Sequence, residues 1–300
     1  NLLMSGPPGT GKTMLARALA AILPDLDGDE ALEVASIYSV RGAVTGRSVT
    51  SVRPPFRAPH HSISRAGLIG GGSGLAQPGE ISLAHRGVLF MDEVTEFPRS
   101  LMEALRQPLE ESEITVARAR GAIRLPAAIT LVAAANPCPC GHGAESGQAC
   151  GCSEPDLARY RARLSGPIVD RIDLRVDVSR VEFGALFGDG QAVETSAAVA
   201  RRVAAARRRQ RVRNARVARR RQGPVPLNSG LDGPLLLRAC GASPRALGEL
   251  ASAGERLKLS ARAYHRVLRV ARTIADLQGA DEVGVDAVHE ALNLRGRLRA

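Results

Sequence analysis

Several kinds of residue are scarce in this chain of 300 residues. Tryptophan is absent, and with three tyrosines and five phenylalanines the chain offers few aromatic side chains for stacking on nucleic-acid bases. No run of about eighteen apolar residues occurs, so the sequence predicts no membrane-spanning helix and no membrane partner. The chain opens on a predicted strand without a secretory signal, so we expect a cytoplasmic location and a preceding part that this sequence lacks.

Lysine is also scarce, with only Lys12 and Lys258, so nearly all of the basic residues are arginines. Eleven arginines lie within residues 193–222, where the single acidic residue is Glu194. That segment therefore carries eleven minus one, or +10, of the net charge of +11. Such a run can contact phosphate backbones, so we predict that it binds DNA. The alternative is a solvated, alanine-rich helix with arginines on its outer face.

A glycine-rich segment near the start of the chain has the sequence of a phosphate-binding loop. Its glycines let successive N–H groups point at phosphate oxygens, and the positive end of a helix predicted over residues 13–23 faces the same point. We expect Lys12 to reach the β- and γ-phosphates of ATP and the Thr13 hydroxyl to bind Mg²⁺. A chance glycine-rich turn is the alternative. The predicted ATP-binding residues of the loop are Gly6, Pro7, Pro8, Gly9, Thr10, Gly11, Lys12 and Thr13.

Two acidic residues, Asp92 and Glu93, follow four apolar residues at 88–91. A buried strand there delivers them to its C-terminal end, where ligands bind in open α/β sheets. We expect Asp92 to hold Mg²⁺ and Glu93 to polarise the attacking water. Two solvated acids at a strand end are the alternative. Together with the phosphate-binding loop, the acids indicate an enzyme that hydrolyses ATP to ADP and phosphate.

Residues 1–180 alternate short apolar segments with helical ones, which is typical of a parallel sheet covered by helices on both faces. Two segments interrupt this pattern. Residues 54–82 are rich in glycine, proline, serine and histidine, and so long a connection is usually functional. Residues 113–126 read as a β-hairpin whose tip carries Arg118, Arg120 and Arg124, with a merely exposed, soluble tip as the alternative. The predicted strands cover residues 1–4, 34–39, 88–92, 129–135 and 172–178.

The C-terminal part reads as entirely helical. The basic segment 193–222 is predicted to be one helix, which ends before Gly-Pro-Val-Pro at 223–226. Residues 227–300 follow as an α-helical domain, whose broadest apolar face belongs to a helix at about 259–277. The predicted fold class is therefore α/β: a nucleotide-binding core with a parallel sheet, followed by a helical domain.

Four of the five cysteines are close together in the sequence, as two Cys-x-Cys pairs. Two such pairs could close a tetrahedral thiolate site for a structural Zn²⁺, in which His142 could replace one ligand. Four thiols on a flexible loop are the alternative. The fifth, Cys240, is expected to be a small core residue. The candidate zinc ligands are Cys138, Cys140, Cys150 and Cys152.

Taken together, these segments resemble an AAA+ ATPase of the magnesium-chelatase-like ComM/YifB group. The resemblance covers nearly the whole chain and rests on GPPGTGKT, VLFMDE, LVAAAN, SGPIVDRIDL, FRAPHHSIS, ANPCPCG and LSARAYHRVLRVARTIADL. It implies a P-loop core, a helical lid and a hexameric ring of identical subunits with ATP at the interfaces. The best-described members are DNA helicases that promote branch migration during natural transformation. They carry an N-terminal Lon-protease-like domain that this sequence lacks.

The resemblance also implies roles for three residues. Asn136 resembles the sensor-1 residue that orients the attacking water, and Arg171 resembles the arginine finger offered to the γ-phosphate of a neighbouring subunit. Arg262 resembles the sensor-2 arginine that links the lid to bound ATP. Each residue also has an ordinary alternative. Asn136 could cap a turn, and Arg171 could pair with a neighbouring aspartate. Arg262 could be a solvated arginine of its helix, and Arg266 is a competing candidate for the sensor-2 role.

The same resemblance divides the chain into three parts. In such rings, a helix-2-type insert and a hairpin within the first part face the central pore. The parts are an AAA+ core at 1–180, with a helix-2-type insert at 56–82, a hairpin before sensor 1 at 113–126 and a cysteine loop at 138–152; a basic helical linker at 181–226; and a helical lid at 227–300.

Four functions compete for this set of motifs. The leading one is an ATP-driven ring motor that acts on DNA. The second is a chelatase-type motor that remodels a protein partner so that a metal enters a tetrapyrrole. The third is a transcription activator, since Gly-Ala-Val-Thr-Gly at 42–46 resembles a GAFTGA loop, although no DNA-binding helix-turn-helix is evident. The fourth is a nucleotide-gated scaffold without hydrolysis.

Overall fold

A computed structural model of the chain describes eight stretches: residues 1–42, 52–71, 77–118, 121–142, 150–163, 168–180, 194–219 and 225–296. The chain divides into two compact units, Asn1–Val193 and Glu194–Ala300. The predictions for residues 43–46, for Arg120 and for residues 143–149 of the cysteine loop lie outside the described stretches. The division into core, linker and lid stays a prediction.

The first unit is built on a parallel sheet of five strands in the order β2-β5-β8-β1-β9. Its strands are β1 (Leu2–Ser5), β2 (Phe56–Arg57), β3 (Gly70–Gly71), β4 (Gln77–Pro78), β5 (Val88–Met91), β6 (Glu113–Arg118), β7 (Gly121–Pro126), β8 (Thr130–Ala135) and β9 (Leu174–Asp177). Its helices are α1 (Lys12–Ala21), α2 (Gly28–Val40), α3 (Arg65–Ile69), α4 (Glu80–Leu83), α5 (Arg99–Ala104), α6 (Arg106–Glu111) and α7 (Glu154–Arg163). The predicted α/β fold class is confirmed.

The middle strands of the sheet are apolar because both of its faces are covered. Leu89 and Leu131 pack into one buried cluster, whereas Phe90 and Val132 pack into the cluster on the opposite face, with Ala16 of α1. This alternation follows from the two-residue period of a strand. Because the strands are parallel, their C-terminal ends meet at one edge, where the phosphate-binding loop and the two acids lie.

The strand predicted at 34–39 is wrong, because these residues belong to helix α2. A capping box starts that helix: the Asp27 side chain accepts the N–H of Glu30, and the Glu30 side chain accepts the N–H of Asp27. Val34 and Ile37, three residues apart, are its buried side chains. The fifth strand is instead β2, which pairs with β5 and lies at the start of the glycine-rich segment.

The hairpin predicted over residues 113–126 is present as β6 and β7, paired from Glu113 with Pro126 to Arg118 with Gly121. Ile114 is buried in the core cluster beside the sheet, so the base of the hairpin is anchored there. Gln107 of α6 binds its first strand, because its side-chain amide contacts the hydroxyl of Thr115 and its oxygen accepts the Thr115 N–H. The hairpin is therefore fixed at its base.

The second unit is built from helices around its own apolar core, as predicted. Leu236, Leu250 and Leu268 are completely buried in that core, and Cys240 lies there too. No helix among the described residues combines the length and the apolar character that crossing a membrane requires. The helices are α8 (Ser196–Val217), α9 (Gly233–Cys240), α10 (Pro244–Arg256), α11 (Ala261–Gln278) and α12 (Val285–Arg295).

Candidate nucleotide-binding site

The phosphate-binding loop connects β1 to α1 and needs glycine at two positions for different reasons. Gly11 precedes the helix with φ of 82°, in the left-handed region that glycine adopts without strain. Gly6 has no room for a side chain, because its Cβ would lie 2.2 Å from the carbonyl oxygen of Val178. The loop therefore runs close against the end of β9, with the N-terminus of α1 directly after it.

Lys12 lies inside the loop and is only 8% exposed. Its ammonium donates to the carbonyl oxygens of Gly6 at 2.6 Å and Pro7 at 2.9 Å, and to Oδ1 of Asn136 at 3.3 Å. Burial lowers the pKa of Lys12, and the nearby carboxylates of Asp92 and Glu93 act in the opposite direction. These contacts put a positive charge at the point where phosphate oxygens would lie.

The two residues predicted to hold Mg²⁺ touch each other. The Thr13 hydroxyl donates to Oδ2 of Asp92 at 2.7 Å, and the other carboxylate oxygen of Asp92 accepts the N–H of Glu93 at 3.0 Å. A hydroxyl and a carboxylate on adjacent elements are oxygen donors of the kind that Mg²⁺ prefers. The residues present therefore fit a magnesium ion bound together with a nucleotide.

Glu93 has an unusual backbone conformation, with φ of 48° and ψ of 49°. Left-handed conformations of residues other than glycine carry strain and are concentrated at functional sites. Its side chain is 55% exposed, and the Nδ1 atom of His61 lies 3.9 Å from its Oε2 atom. His61 belongs to the FRAPHHSIS segment, but its contact with Glu93 could not be predicted because 32 positions separate the two residues.

Asn136 follows β8, which lies between β1 and β5 in the sheet. Its side chain contacts Lys12, and its backbone carbonyl accepts a hydrogen bond from the Tyr160 hydroxyl at 3.0 Å. The same hydroxyl accepts one from Thr95 at 3.1 Å. Tyr160 of α7 thus joins the end of β8 to the turn after Glu93, a link that the sequence analysis missed.

Arg171 and Arg262, the two predicted arginines of the site, lie in different units. Arg171 belongs to the turn Val169–Arg171 and forms an ion pair with Glu110 of α6. The sequence predicts only neighbouring aspartates as alternative partners for Arg171, so its pairing with Glu110 is a finding of the structure. Arg262 is exposed in the first turn of α11, after the N-cap Ser260. Both roles stay predictions.

The four clustered cysteines come together in space. Their sulfur atoms all lie within 4.8 Å of one another. Cys138 lies 3.2 Å from Cys140, and Cys150 lies 3.7 Å from each of them. A backbone hydrogen bond from His142 and the contact with Cys138 lower the pKa of Cys140 to about 6. In the same group, despite a backbone hydrogen bond with Cys140, burial and contacts with the other three thiols raise the pKa of Cys152. Among the described residues, His142 is not part of this group.

The basic helix α8 is not uniformly solvated. Arg213 forms an ion pair with the buried Asp276 of α11, and Arg209 lies 3.5 Å from Asp281. These arginines hold the helix against the rest of the second unit. Others are exposed along the helix, and these are the candidates for contact with phosphate: Arg201, Arg202, Arg208 and Arg216.

Comparison with known proteins agrees with these motifs. "Magnesium chelatase, subunit ChlI" matches residues 1–186, and "Magnesium chelatase, subunit ChlI C-terminal" matches residues 193–295. An uncharacterized protein of Mycobacterium tuberculosis is 47% identical over 296 residues, which cover 98% of this chain and 57% of the relative. The competence protein ComM of Haemophilus influenzae is 44% identical over 299 residues, which cover 100% of this chain and 56% of that protein.

The uncharacterized protein YifB of Escherichia coli is 43% identical over 295 residues, which cover 98% of this chain and 56% of that protein. The chain thus spans a little over half the length of these curated relatives. The first family match covers most of the sheet-containing unit, and the second covers most of the helical unit. This chain belongs to the magnesium-chelatase-like ComM/YifB family of AAA+ ATPases.

Proposed function

We propose that this chain binds ATP with Mg²⁺ and hydrolyses it to ADP and phosphate. The proposal is carried by one observation, the meeting of four side chains at the C-terminal edge of the sheet. Lys12 contacts Asn136, and Thr13 contacts Asp92. P-loop enzymes use groups of these kinds to bind phosphates, to hold the metal and to orient water.

In the proposed reaction each residue has a separate task. The N–H groups of the loop cradle the phosphates, and Lys12 exchanges the loop carbonyls for β- and γ-phosphate oxygens. Thr13 and Asp92 hold Mg²⁺, which neutralises charge on the phosphates when it is bound. Glu93 accepts the proton of the attacking water, and Asn136 orients that water.

The proposed active form is a ring of identical subunits, a hexamer as in the resemblance, with ATP at the interfaces. Arg171 serves as the arginine finger for the neighbouring subunit, and its permanent charge suits it to that task. In the single chain it pairs with Glu110, so the neighbour's γ-phosphate has to replace this carboxylate. Arg262 is the proposed sensor-2 residue, which links the lid to ATP.

The proposed substrate of the motor is DNA, with helicase activity that promotes branch migration in the cytoplasm. Two features support this choice. The relative ComM is called a competence protein. Exposed arginines line the helix α8, and Arg124 is exposed on the hairpin. Contacts of this kind are electrostatic, so binding should depend strongly on salt and weakly on sequence.

A second candidate function is a chelatase-type motor that remodels a protein partner for metal insertion. The family description itself, magnesium chelatase subunit ChlI, favours it. Both functions use the same ATPase residues, so the discriminating property is the response of ATP turnover to DNA.

The test measures phosphate release with single-stranded, duplex and branched DNA over a series of salt concentrations. Wild-type protein should be stimulated by at least one of these DNA forms, and stimulation should fall steeply as salt rises. Lys12→Ala controls for contaminating ATPases and should release no phosphate. Turnover that no DNA form changes would reject the helicase proposal in favour of protein remodelling. Absence of turnover under every condition would reject the ATPase proposal itself.

Charge reversal distinguishes the two basic surfaces. Arg124→Glu changes the hairpin, which leads through β8 to Asn136, so it should reduce the stimulation of turnover by DNA. Arg208→Glu with Arg216→Glu changes α8 and should weaken DNA affinity while saturating DNA still stimulates turnover. Equal effects of both variants on affinity and on maximal stimulation would contradict separate tasks for the two surfaces.

The proposed second metal is a structural Zn²⁺ bound by Cys138, Cys140, Cys150 and Cys152. Tetrahedral Zn–S bonds of about 2.3 Å separate the sulfurs by roughly 3.8 Å. The three distances among the sulfurs of Cys138, Cys140 and Cys150, 3.2 to 3.7 Å, are close to that separation, and all four sulfurs lie within 4.8 Å of one another. Four thiolates are also a donor set typical of structural zinc, with no open position for catalysis.

A further inference from the structure

We propose that the cysteine cluster braces the phosphate-binding loop, so that Zn²⁺ at the four thiolates raises the affinity of this chain for ATP. The inference rests on the zinc site proposed above and adds a function to it. Zinc then acts on nucleotide binding through protein contacts and not as a ligand of the nucleotide. Two connections between the cluster and the nucleotide site carry this inference.

The first connection is a direct contact between backbone and loop. After Cys138 the chain makes a tight turn, in which the N–H of Gly141 donates to the Cys138 carbonyl at 3.0 Å. Gly141 has φ of 82°, and a Cβ built there would lie 2.8 Å from Cγ of Pro8 and 3.0 Å from Cδ. The turn that contains the first two cysteines therefore rests on the phosphate-binding loop.

The second connection runs through α7, which begins at Glu154, two residues after Cys152. Tyr160 of this helix is buried, and its hydroxyl joins the Asn136 carbonyl to the Thr95 side chain. Arg163, also on α7, donates to the Thr95 carbonyl at 3.3 Å. The second pair of cysteines is thus attached to the helix that holds the end of β8 and the turn after Glu93.

We expect the metal to be needed because, in the part of the loop that the structure describes, burial gives the cysteines little support. Of its four cysteines only Cys138 is buried, so apolar burial contributes little to the fold of this loop. Zinc stabilises only the conformation in which the four thiolates converge. Losing zinc should therefore release the turn from Pro8 and the start of α7. ATP binding would then have to order both, which lowers its apparent affinity.

The test compares substitutions at two glycines of the cysteine loop, Gly141 and Gly151. Each of them is next to a proposed zinc ligand. Gly141→Ala introduces a Cβ against Pro8 at a left-handed position, whereas a Cβ at Gly151 meets nothing within 4 Å. Both variants should retain one zinc per chain by elemental analysis. Gly141→Ala should weaken binding of a fluorescent ATP analogue on the order of tenfold, and Gly151→Ala should bind it like wild type.

A second arm removes the metal from wild-type protein. After the chelator is removed and Mg²⁺ is resupplied, the zinc-depleted protein should bind the analogue more weakly by a similar factor, and adding Zn²⁺ should restore binding. Wild-type affinity in zinc-depleted protein would overturn the brace whatever Gly141→Ala does, while the zinc and ATPase proposals stand. Absence of zinc from wild-type protein prepared without chelators overturns the zinc site and the brace together. Failure of wild-type, zinc-loaded protein to bind the analogue at all instead overturns the proposed ATPase.

Discussion

Glu93 and Lys12 lie at the same edge of the sheet but act at different steps of the proposed reaction. Glu93→Gln keeps the size of the side chain and leaves the contact of Thr13 with Asp92 intact. We expect near-normal ATP affinity and turnover reduced by ~10²-fold or more, the scale of losing a general base. Lys12→Ala should abolish ATP binding, because the phosphates lose their cationic partner. The measurements are analogue binding and phosphate release.

Glu96→Gln provides the matched control for Glu93. It makes the same chemical change three residues later, at a carboxylate that lies 3.5 Å from Arg163. Its turnover should stay close to that of wild type, because surface ion pairs contribute little. Wild-type turnover in Glu93→Gln would remove this residue from the mechanism.

At this scale, the sequence could predict residues that belong to contiguous motifs. The loop and the acids each sit beside a strand, so their meeting at one edge follows from a parallel sheet. The partners of those residues could not be predicted in this way. Glu110, Tyr160 and His61 reach the site region from other elements, and no spacing in the sequence connects them to the residues they contact.

His85 joins three elements and should make the stability of the first unit depend on pH. The Ala128 N–H donates to its Nδ1 atom at 3.0 Å, so its Nε2 atom carries the proton and lies 3.0 Å from Glu33 of α2. Burial lowers the pKa of His85, against the opposite effect of Glu33. The unfolded chain therefore binds a proton at this residue more readily than the folded chain.

Because the unfolded chain binds this proton more readily, the first unit should become less stable as pH falls. Stability from neutral His85 is fully present above the unfolded pKa of about 6.5 and is lost as pH falls toward the lower folded pKa. The Tm of wild type should fall between about pH 7.5 and pH 5.5. His85→Asn keeps an acceptor for Ala128 and should lower Tm at high pH but flatten its pH dependence. His60→Asn, at an exposed histidine, is the control, and an equal flattening there would contradict this role.

At the scale of elements, long patterns were predictable and short ones were not. The hairpin was predictable because two alternating runs flank a turn expected near Arg120-Gly121. Helix α2 was mistaken for a strand over 34–39 because its β-branched and aromatic residues suit strands, although its capping box is local and visible in the sequence. The strand β2 was missed because its two residues form no pattern and depend on pairing with β5.

At the scale of the whole molecule, the proposed ring makes a complete active site from two subunits. In this proposal, one chain binds ATP with its phosphate-binding loop, its two acids and Asn136. The finger Arg171 of that chain acts on the ATP bound by the next chain. No pattern within a single sequence specifies such a contact between copies. The family resemblance implied it, and the ion pair of Arg171 with Glu110 describes the single chain alone.

Mixing two inactive variants tests this arrangement. In a mixture of Arg171→Ala and Glu93→Gln subunits, some interfaces combine an intact Glu93 with an intact Arg171 of the neighbour. Random mixing in equal amounts makes roughly one quarter of the interfaces complete. We therefore expect ATP turnover to rise well above that of either parent, measured as phosphate release after the subunits exchange.

The matched control mixes Arg171→Ala with the double variant Glu93→Gln/Arg171→Ala, in which no interface has both residues. This mixture should stay inactive, so any turnover in it would come from exchange artefacts and not from complementation. If the first mixture is no more active than its parents while both variants still bind ATP and assemble, Arg171 is not the finger. An active site within one chain would likewise give no complementation, because every subunit would carry its own defect.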